Sequence, residues 1–354
     1  MRRERAPAGD VRRILVVKLS SFGDIVLATG AIAALRRAHP DADLRVVVER
    51  RWAPLLAACP EVDGLIEASG RVPLTASHVI EIAHALAGER RRRGRFDLAI
   101  DLQGTRRSAA WTYLSGARTM AGRGSPRPGW RYAAPHDHGR HAVTAHAGVC
   151  AALGIDTSDV APRLTTAPSD EARLDALLDG QRLPRRGHVL LNPYSRWASK
   201  SWNDPAVVEL AGEIARLRGE PVIVTGGPED TARAMHVAAS CGGAAVSLAG
   251  RLSLGESLAL TRRASLMVSC DSGPMHAAAA FGVPVVALFG PTLPEHTGPW
   301  GRGHTVIQPR RPPDHHAYRR RDGVGYLDAI APQAVFDAVR ETFRRAPGGT
   351  PVPA

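Results

Sequence analysis

Cysteine is scarce in this chain, aromatic residues make up only 5% of it, and no long apolar run occurs. The four cysteines, Cys59, Cys150, Cys241 and Cys270, stand far apart, with no CxxC and no Cys/His cluster at metal spacing. That argues against a disulfide-stapled scaffold and a structural zinc module, and the four are expected as buried thiols. The shortage of aromatics, with no helix-turn-helix, zinc-finger or RNP-like pattern, argues against a nucleic-acid-binding protein. A membrane-spanning helix needs roughly 18 consecutive apolar residues, and nothing here approaches that. The first apolar run, Ile14 to Val17, is interrupted by Lys18 and is too short for a signal-peptide core. A cytoplasmic location is expected.

What the chain does have is length and positive charge. Its 354 residues suggest two domains, at a prior of roughly 150 residues each. The formal charge is +12, from 46 Lys and Arg against 34 Asp and Glu, and Arg supplies nearly all of the positive side. Such a balance favours anionic partners: nucleic acid, phospholipid head groups or phosphorylated glycolipid. The densest run, Arg90 to Arg93 with Arg95, is expected to end a helix that begins near Ala76, where cations complement the helix dipole. A membrane-facing patch is the alternative for that run.

Short β-branched runs alternate with longer amphipathic stretches, the pattern of parallel sheets covered by helices. After an arm at residues 1–10, strands are expected at Ile14–Lys18, Leu44–Glu49, Gly64–Glu67 and Leu98–Ile100. Helices are expected at Ile25–Ala38, Trp52–Ala58 and within Ala76–Arg93. Gly124 to Arg140 reads as loop, followed by a helix at Ala142–Leu153 and an extended stretch at Ala161–Pro168. The alternation restarts with strands at Val189–Leu191, Val222–Thr225, Leu266–Ser269 and Val285–Phe289. Helices lie between them at Pro205–Leu217, Asp230–Ser240, Leu254–Arg263 and Gly273–Phe281, and a last one is expected at Pro332–Arg344. This predicts two doubly wound α/β domains, residues 1–170 and 171–354, facing an interdomain cleft, with ligands beyond the carboxyl ends of the strands.

Five loops fall at such ends. In Lys18-Leu19-Ser20-Ser21-Phe22-Gly23-Asp24, small residues open a helix start to an anion, without Walker or GxGxxG spacing. Asp24 is either a helix N-cap or a general base. Asp101-Leu102-Gln103-Gly104-Thr105 follows the fourth strand, and Asp101 either caps the turn or binds acceptor hydroxyls. The loop from Asn192 to Trp202 carries Ser195 and Lys200 between Trp197 and Trp202, a setting for phosphate as much as for solvent. Thr225-Gly226-Gly227-Pro228-Glu229 is another strand-to-helix turn, with Glu229 either a capping acid or a ribose ligand. Asp271-Ser272-Gly273-Pro274-Met275-His276 puts free N–H groups and a histidine at a helix start, a site for a diphosphate.

In order and spacing these blocks resemble glycosyltransferase family 9, the ADP-heptose:lipopolysaccharide heptosyltransferases, over roughly residues 13 to 342. The blocks are Lys18-x-Ser-Ser-x-Gly-Asp24, Phe96 to Gly104, Asp271-Ser-Gly-x-x-His276, Gly282-x-Pro284, Phe289-Gly290-Pro291-Thr292 and Tyr326 to Pro332. Ser272 stands where the family has Thr, and Ser195-Arg196 where well-known members carry a Thr pair. The resemblance implies a GT-B fold and inversion at the anomeric carbon, with no metal and no cofactor. It places the acceptor on the N-terminal domain, with Asp24 as the base and Ser21, Gly23, Asp101 and Gln103 as acceptor contacts. Lys200, catalytic alongside Asp24, would with Asp271, Ser272, Gly273 and His276 surround the diphosphate, with Ser195, Gly226 and Glu229 completing the donor site. The implied partners are ADP-heptose, with a different nucleotide sugar as the alternative donor, an anionic glycolipid and, peripherally, the inner-membrane surface; no nucleic acid is expected. The one candidate metal motif, Asp41-x-Asp43, precedes a strand, whereas a metal-binding DxD should follow one.

Overall fold

The computed structural model describes residues 11–70, 75–123, 141–309 and 325–345. The arm at 1–10, the loop at 124–140 and most of the basic segment 308–321 lie outside the described residues. The chain forms two units, Met1–Thr165 and Thr166–Ala354.

The first unit holds a five-stranded sheet, all parallel: β1 (Arg13–Val17), β2 (Asp43–Glu49), β3 (Gly64–Ala68), β4 (Leu98–Asp101) and β5 (Thr119–Gly122), in the order β3-β2-β1-β4-β5. Its helices are α1 (Phe22–Ala38), α2 (Ala76–Arg93), α3 (Arg106–Leu114) and α4 (Ala142–Ala152). Every residue of β1 is buried, as expected of a central parallel strand covered on both faces. Helix α1 is buried along most of its length and packs on α4. Gly30 permits a further close approach, because a Cβ there would lie 1.9 Å from the Val160 carbonyl oxygen.

The second unit holds six parallel strands: β6 (Val189–Asn192), β7 (Val222–Val224), β8 (Ala245–Ser247), β9 (Leu266–Cys270), β10 (Val285–Leu288) and β11 (Thr305–Ile307), in the order β11-β10-β9-β6-β7-β8. Between and after them run α5 (Pro168–Gly180), α6 (Asp204–Arg218), α7 (Thr231–Ser240), α8 (Leu254–Arg262), α9 (Gly273–Ala280), the short α10 (Pro294–Thr297) and α11 (Pro332–Arg345). Helix α11 lies against α6, and its Val335, Phe336 and Val339 enter the core of this unit.

Six elements go beyond the sequence expectation: α3, β5, α5, β8, α10 and β11. Thr119-Met-Ala-Gly122 and Ala245-Val-Ser247 have no β-branched run, so these strands exist through pairing with β4 and β7 rather than through propensity. Pro168, expected to end an extended stretch, instead opens α5, a position that suits proline because its missing N–H has no helical partner. Helix α5 packs on α8, so the boundary falls at Thr165/Thr166; a cut after residue 170 would divide this helix.

Candidate active site

Strand order reverses once in each unit, between β1 and β4 in the first and between β6 and β9 in the second. Loops leaving such neighbouring strands diverge to opposite faces and leave a crevice at their carboxyl ends. Four of the five loops singled out from the sequence leave these strands: those carrying Asp24 and Asp101, and those carrying Lys200 and Asp271. The Gly226 loop follows β7.

In the first unit, Ser21 is the N-cap of α1 and Asp24 occupies its third helical position, so Asp24 is not itself the cap. The Ser21 N–H and hydroxyl both donate to Asp24 Oδ2, at 3.2 and 2.8 Å. Asp24 as a residue is part-buried. Burial would push its pKa up, but the Lys18 ammonium and the two Ser21 bonds outweigh that and hold it below the ordinary carboxylate range. Lys18 is itself 2% exposed, donates to the Leu102 carbonyl at 3.4 Å and is lowered by burial to about 8. Gly23 is buried in the turn.

Asp101 is fully buried and braces its own loop. Its Oδ1 accepts from the Gln103 and Gly104 N–H groups at 2.8 and 2.9 Å, and its Oδ2 from the Ser108 hydroxyl at 2.9 Å. That is the turn-capping arrangement, and Gln103 joins the loops: its Oε1 accepts from the Ser20 N–H at 3.1 Å. Two further residues, missed from the sequence, belong to this cluster. Arg123 follows β5, within electrostatic reach of Asp24 and Asp101. His146, on α4, is fully buried, shares Nδ1 with the Leu27 carbonyl at 3.3 Å and is held neutral by burial and by the Lys18 and Arg123 charges. Arg123 escaped notice because β5 did, and His146 because a helical histidine reads as packing.

In the second unit, Lys200 Nζ lies 2.7 Å from Asp271 Oδ2, and the Thr292 hydroxyl donates to the same oxygen at 2.8 Å. Burial pushes the Asp271 carboxyl up, but Lys200 and His276 bring it below its ordinary value. Ser272 caps α9, its hydroxyl held at 2.9 Å by Asn192 Nδ2 from the neighbouring strand, and Gly273 begins the helix. His276 is buried on the first turn of α9. Ser195 and Ser201 close the Lys200 loop, the Ser195 N–H donating to the Ser201 hydroxyl at 3.0 Å. The two tryptophans part company: Trp202 is buried and donates to the Ile330 carbonyl, whereas Trp197 is 39% exposed. Gly226 lets Asp230 approach to where a Cβ would be 2.8 Å from that of the aspartate, and Glu229 is exposed in the turn beside it. The first unit's Asp43, of the Asp41-x-Asp43 pair, is engaged with Arg13 and Arg45 at the start of β2.

Residues 85–322 match glycosyltransferase family 9 (heptosyltransferase). The chain belongs to this family. It is 30% identical over 312 residues to lipopolysaccharide heptosyltransferase 1 of Pseudomonas aeruginosa, covering 83% of each chain. It is 27% identical over 287 residues to lipopolysaccharide heptosyltransferase 3 of Escherichia coli, covering 78% of this chain and 83% of that one. Among solved structures, the family 9 glycosyl transferase from Veillonella parvula superposes with a TM-score of 0.82 at 22% identity, over 96% of this chain and 99% of that one. The chain is thus a glycosyltransferase of family 9 with two Rossmann-like units, the GT-B type of fold expected from the sequence.

Proposed function

We propose that this glycosyltransferase transfers heptose from ADP-heptose to a lipopolysaccharide inner-core acceptor, with inversion and with Asp24 as general base. The observation that carries this reading is a carboxylate at the β1/β4 switch point, on a part-buried residue, that a buried lysine and the Ser21 donors hold ionised. An ionised carboxylate is what proton removal from an acceptor hydroxyl requires. The hydroxyl oxygen attacks the anomeric carbon, its proton passes to Asp24, and the bond from that carbon to the diphosphate oxygen breaks. Charge then grows on the departing ADP. In the second unit Lys200, the N–H groups of Ser272 and Gly273 at the start of α9, and His276 are the groups suited to stabilise it. Ser195, Gly226 and Glu229 complete the donor side in this reading, with Glu229, exposed in its turn, as the ribose ligand. On the acceptor side, Asp101 acts through the loop it braces, which presents Gln103, with Ser21 and Gly23 beside Asp24.

The relatives, lipopolysaccharide heptosyltransferases 1 and 3, support heptose as the donor sugar and lipopolysaccharide as the acceptor class. A glycolipid acceptor in turn favours a cytoplasmic enzyme working at the inner face of the membrane. No helix among the described residues is long and apolar enough to cross a membrane. Peripheral contact is the alternative, and α2 suits it: Ile80 is 57% exposed, and Arg90 and Arg91 are exposed on the same helix.

The test is a transfer assay with ADP-heptose and inner-core acceptors lacking one heptose or another, read by mass spectrometry, with EDTA present. Heptose addition to one acceptor supports the reading. No addition to any of them, together with thermal stabilisation by UDP-sugars and not by ADP-heptose, sinks it.

A further inference from the structure

Arg123 stands directly after β5, and its backbone N–H donates to the Asp101 carbonyl at 3.0 Å. The Asp101 loop is pressed against it. A Cβ on Gly104 would lie 3.1 Å from the Arg123 carbonyl oxygen and 3.3 Å from the Arg123 Cβ. The side chain therefore starts at the edge of the sheet where Asp24 and Asp101 stand, and both carboxylates act on its charge. Even so, among the described residues its guanidinium has no hydrogen-bond or ion-pair partner, and its Nε is enclosed and unsatisfied.

Other little-exposed arginines of this protein tie elements together. Arg13 pairs with Asp43 and Glu89, Arg107 with Glu49, and Arg263 with Glu171 and Asp175. Around Arg123 much of the acceptor capacity is engaged by other donors. Ser21 engages Asp24 Oδ2, and the Gln103 and Gly104 N–H groups and the Ser108 hydroxyl engage Asp101. The cation next to it, Lys18, adds positive charge at the same edge. An enclosed N–H without an acceptor costs stability, and a fold keeps such a group where a ligand completes it.

We propose that Arg123 binds an oxyanion of the acceptor, a carboxylate or a phosphate carried near the hydroxyl that Asp24 deprotonates. A guanidinium suits this because its planar fork offers two parallel N–H bonds to a planar or tetrahedral oxyanion. The assignment rests on the reading above that the first unit takes the acceptor, and it names the acceptor feature that this unit selects.

The experiment compares wild type with Arg123→Gln and Arg123→Lys on a deacylated inner-core fragment in three forms: intact, with its carboxylates converted to methylamides, and dephosphorylated. Arg123→Gln is expected to raise the acceptor KM about 10- to 100-fold, with kcat and the KM for ADP-heptose nearly unchanged. The penalty disappears on whichever neutralised form lacks the bound oxyanion, which tells carboxylate from phosphate, and Arg123→Lys recovers part of the affinity. The melting temperature of Arg123→Gln without ligand stays level or rises, because an unsatisfied donor is removed. An equal penalty on all three forms, a raised donor KM or a lower melting temperature overturns the assignment. Thermal stabilisation of each variant by the same fragments gives a readout without turnover. If wild type transfers no heptose, the function proposed above fails, whereas stabilisation that depends on Arg123 and on the oxyanion still upholds this assignment.

Discussion

Lys200 Nζ and Asp271 Oδ2 meet at 2.7 Å across the loops that leave β6 and β9. The chain has two lysines among its 46 basic residues, and both, Lys18 and Lys200, lie in loops at strand-order reversals, within reach of a carboxylate. In the second unit Asp271 is what fixes the ammonium at the start of α9. Removing Asp271 should therefore do more than remove a charge.

Asp271→Ala leaves the Lys200 ammonium little exposed beside Thr292 without its carboxylate. Breaking a buried pair from one side typically costs about 3–5 kcal/mol. The expected result, by thermal unfolding, is a midpoint several degrees lower together with lost stabilisation by ADP. The carboxyl titrates below its ordinary value when folded, so its contribution is present above the unfolded pKa and is lost as pH falls through the folded one. The stability gap between wild type and Asp271→Ala should narrow under acid; a gap independent of pH would refute the pairing as its source.

Asp24→Ala should reduce kcat by about a hundredfold or more, the usual scale for a lost general base, while ADP binding by calorimetry stays within a few-fold. The lost Ser21 contacts at the start of α1 should cost about 1 kcal/mol of stability. Equal losses in transfer and in ADP affinity would reduce Asp24 to a structural role.

Lys18→Met removes the main charge that keeps Asp24 ionised. In the pH profile of kcat/KM the acid limb should move to higher pH, by roughly one unit or more. An unmoved limb would separate Lys18 from the base. Lys18 also bears on alkaline stability: burial lowers its folded pKa to about 8, below the ordinary lysine value of 10.5. Between these values the unfolded chain binds the extra proton, so wild type should gain stability as pH rises through that window, and Lys18→Met should not.

Gly104 adopts a φ of +72°, with Arg123 close above it. Gly104→Ala should cost about 1–2 kcal/mol for the left-handed backbone alone. Because the added methyl presses on Arg123, the acceptor KM should rise while the donor KM stays put. A change confined to stability would mean that Arg123 tolerates the displacement.

Much of this protein was legible in the sequence. The β-branched runs such as Ile14–Val17 and Leu266–Val268 specify buried parallel strands, because only a strand covered on both faces uses apolar residues continuously. The turns after them announce themselves through Ser, Gly and Asp at helix starts, so Asp24, Lys200 and the Asp271 to His276 segment could be singled out without coordinates. Strand order and side-chain pairing were not legible. Thr119–Gly122 becomes β5 only by pairing with β4, and that pairing alone brings Arg123 to the edge where Asp101 stands. Likewise only the structure shows Ser21 as the cap of α1 with Asp24 as its capping-box partner, and Lys200 could be solvated until Asp271 was found beside it across 71 positions. Local propensity and loop chemistry act over a few residues, and a sequence records them directly. Hydrogen-bond pairing and charge proximity arise between segments far apart in the chain, and only the folded structure decides which of them meet.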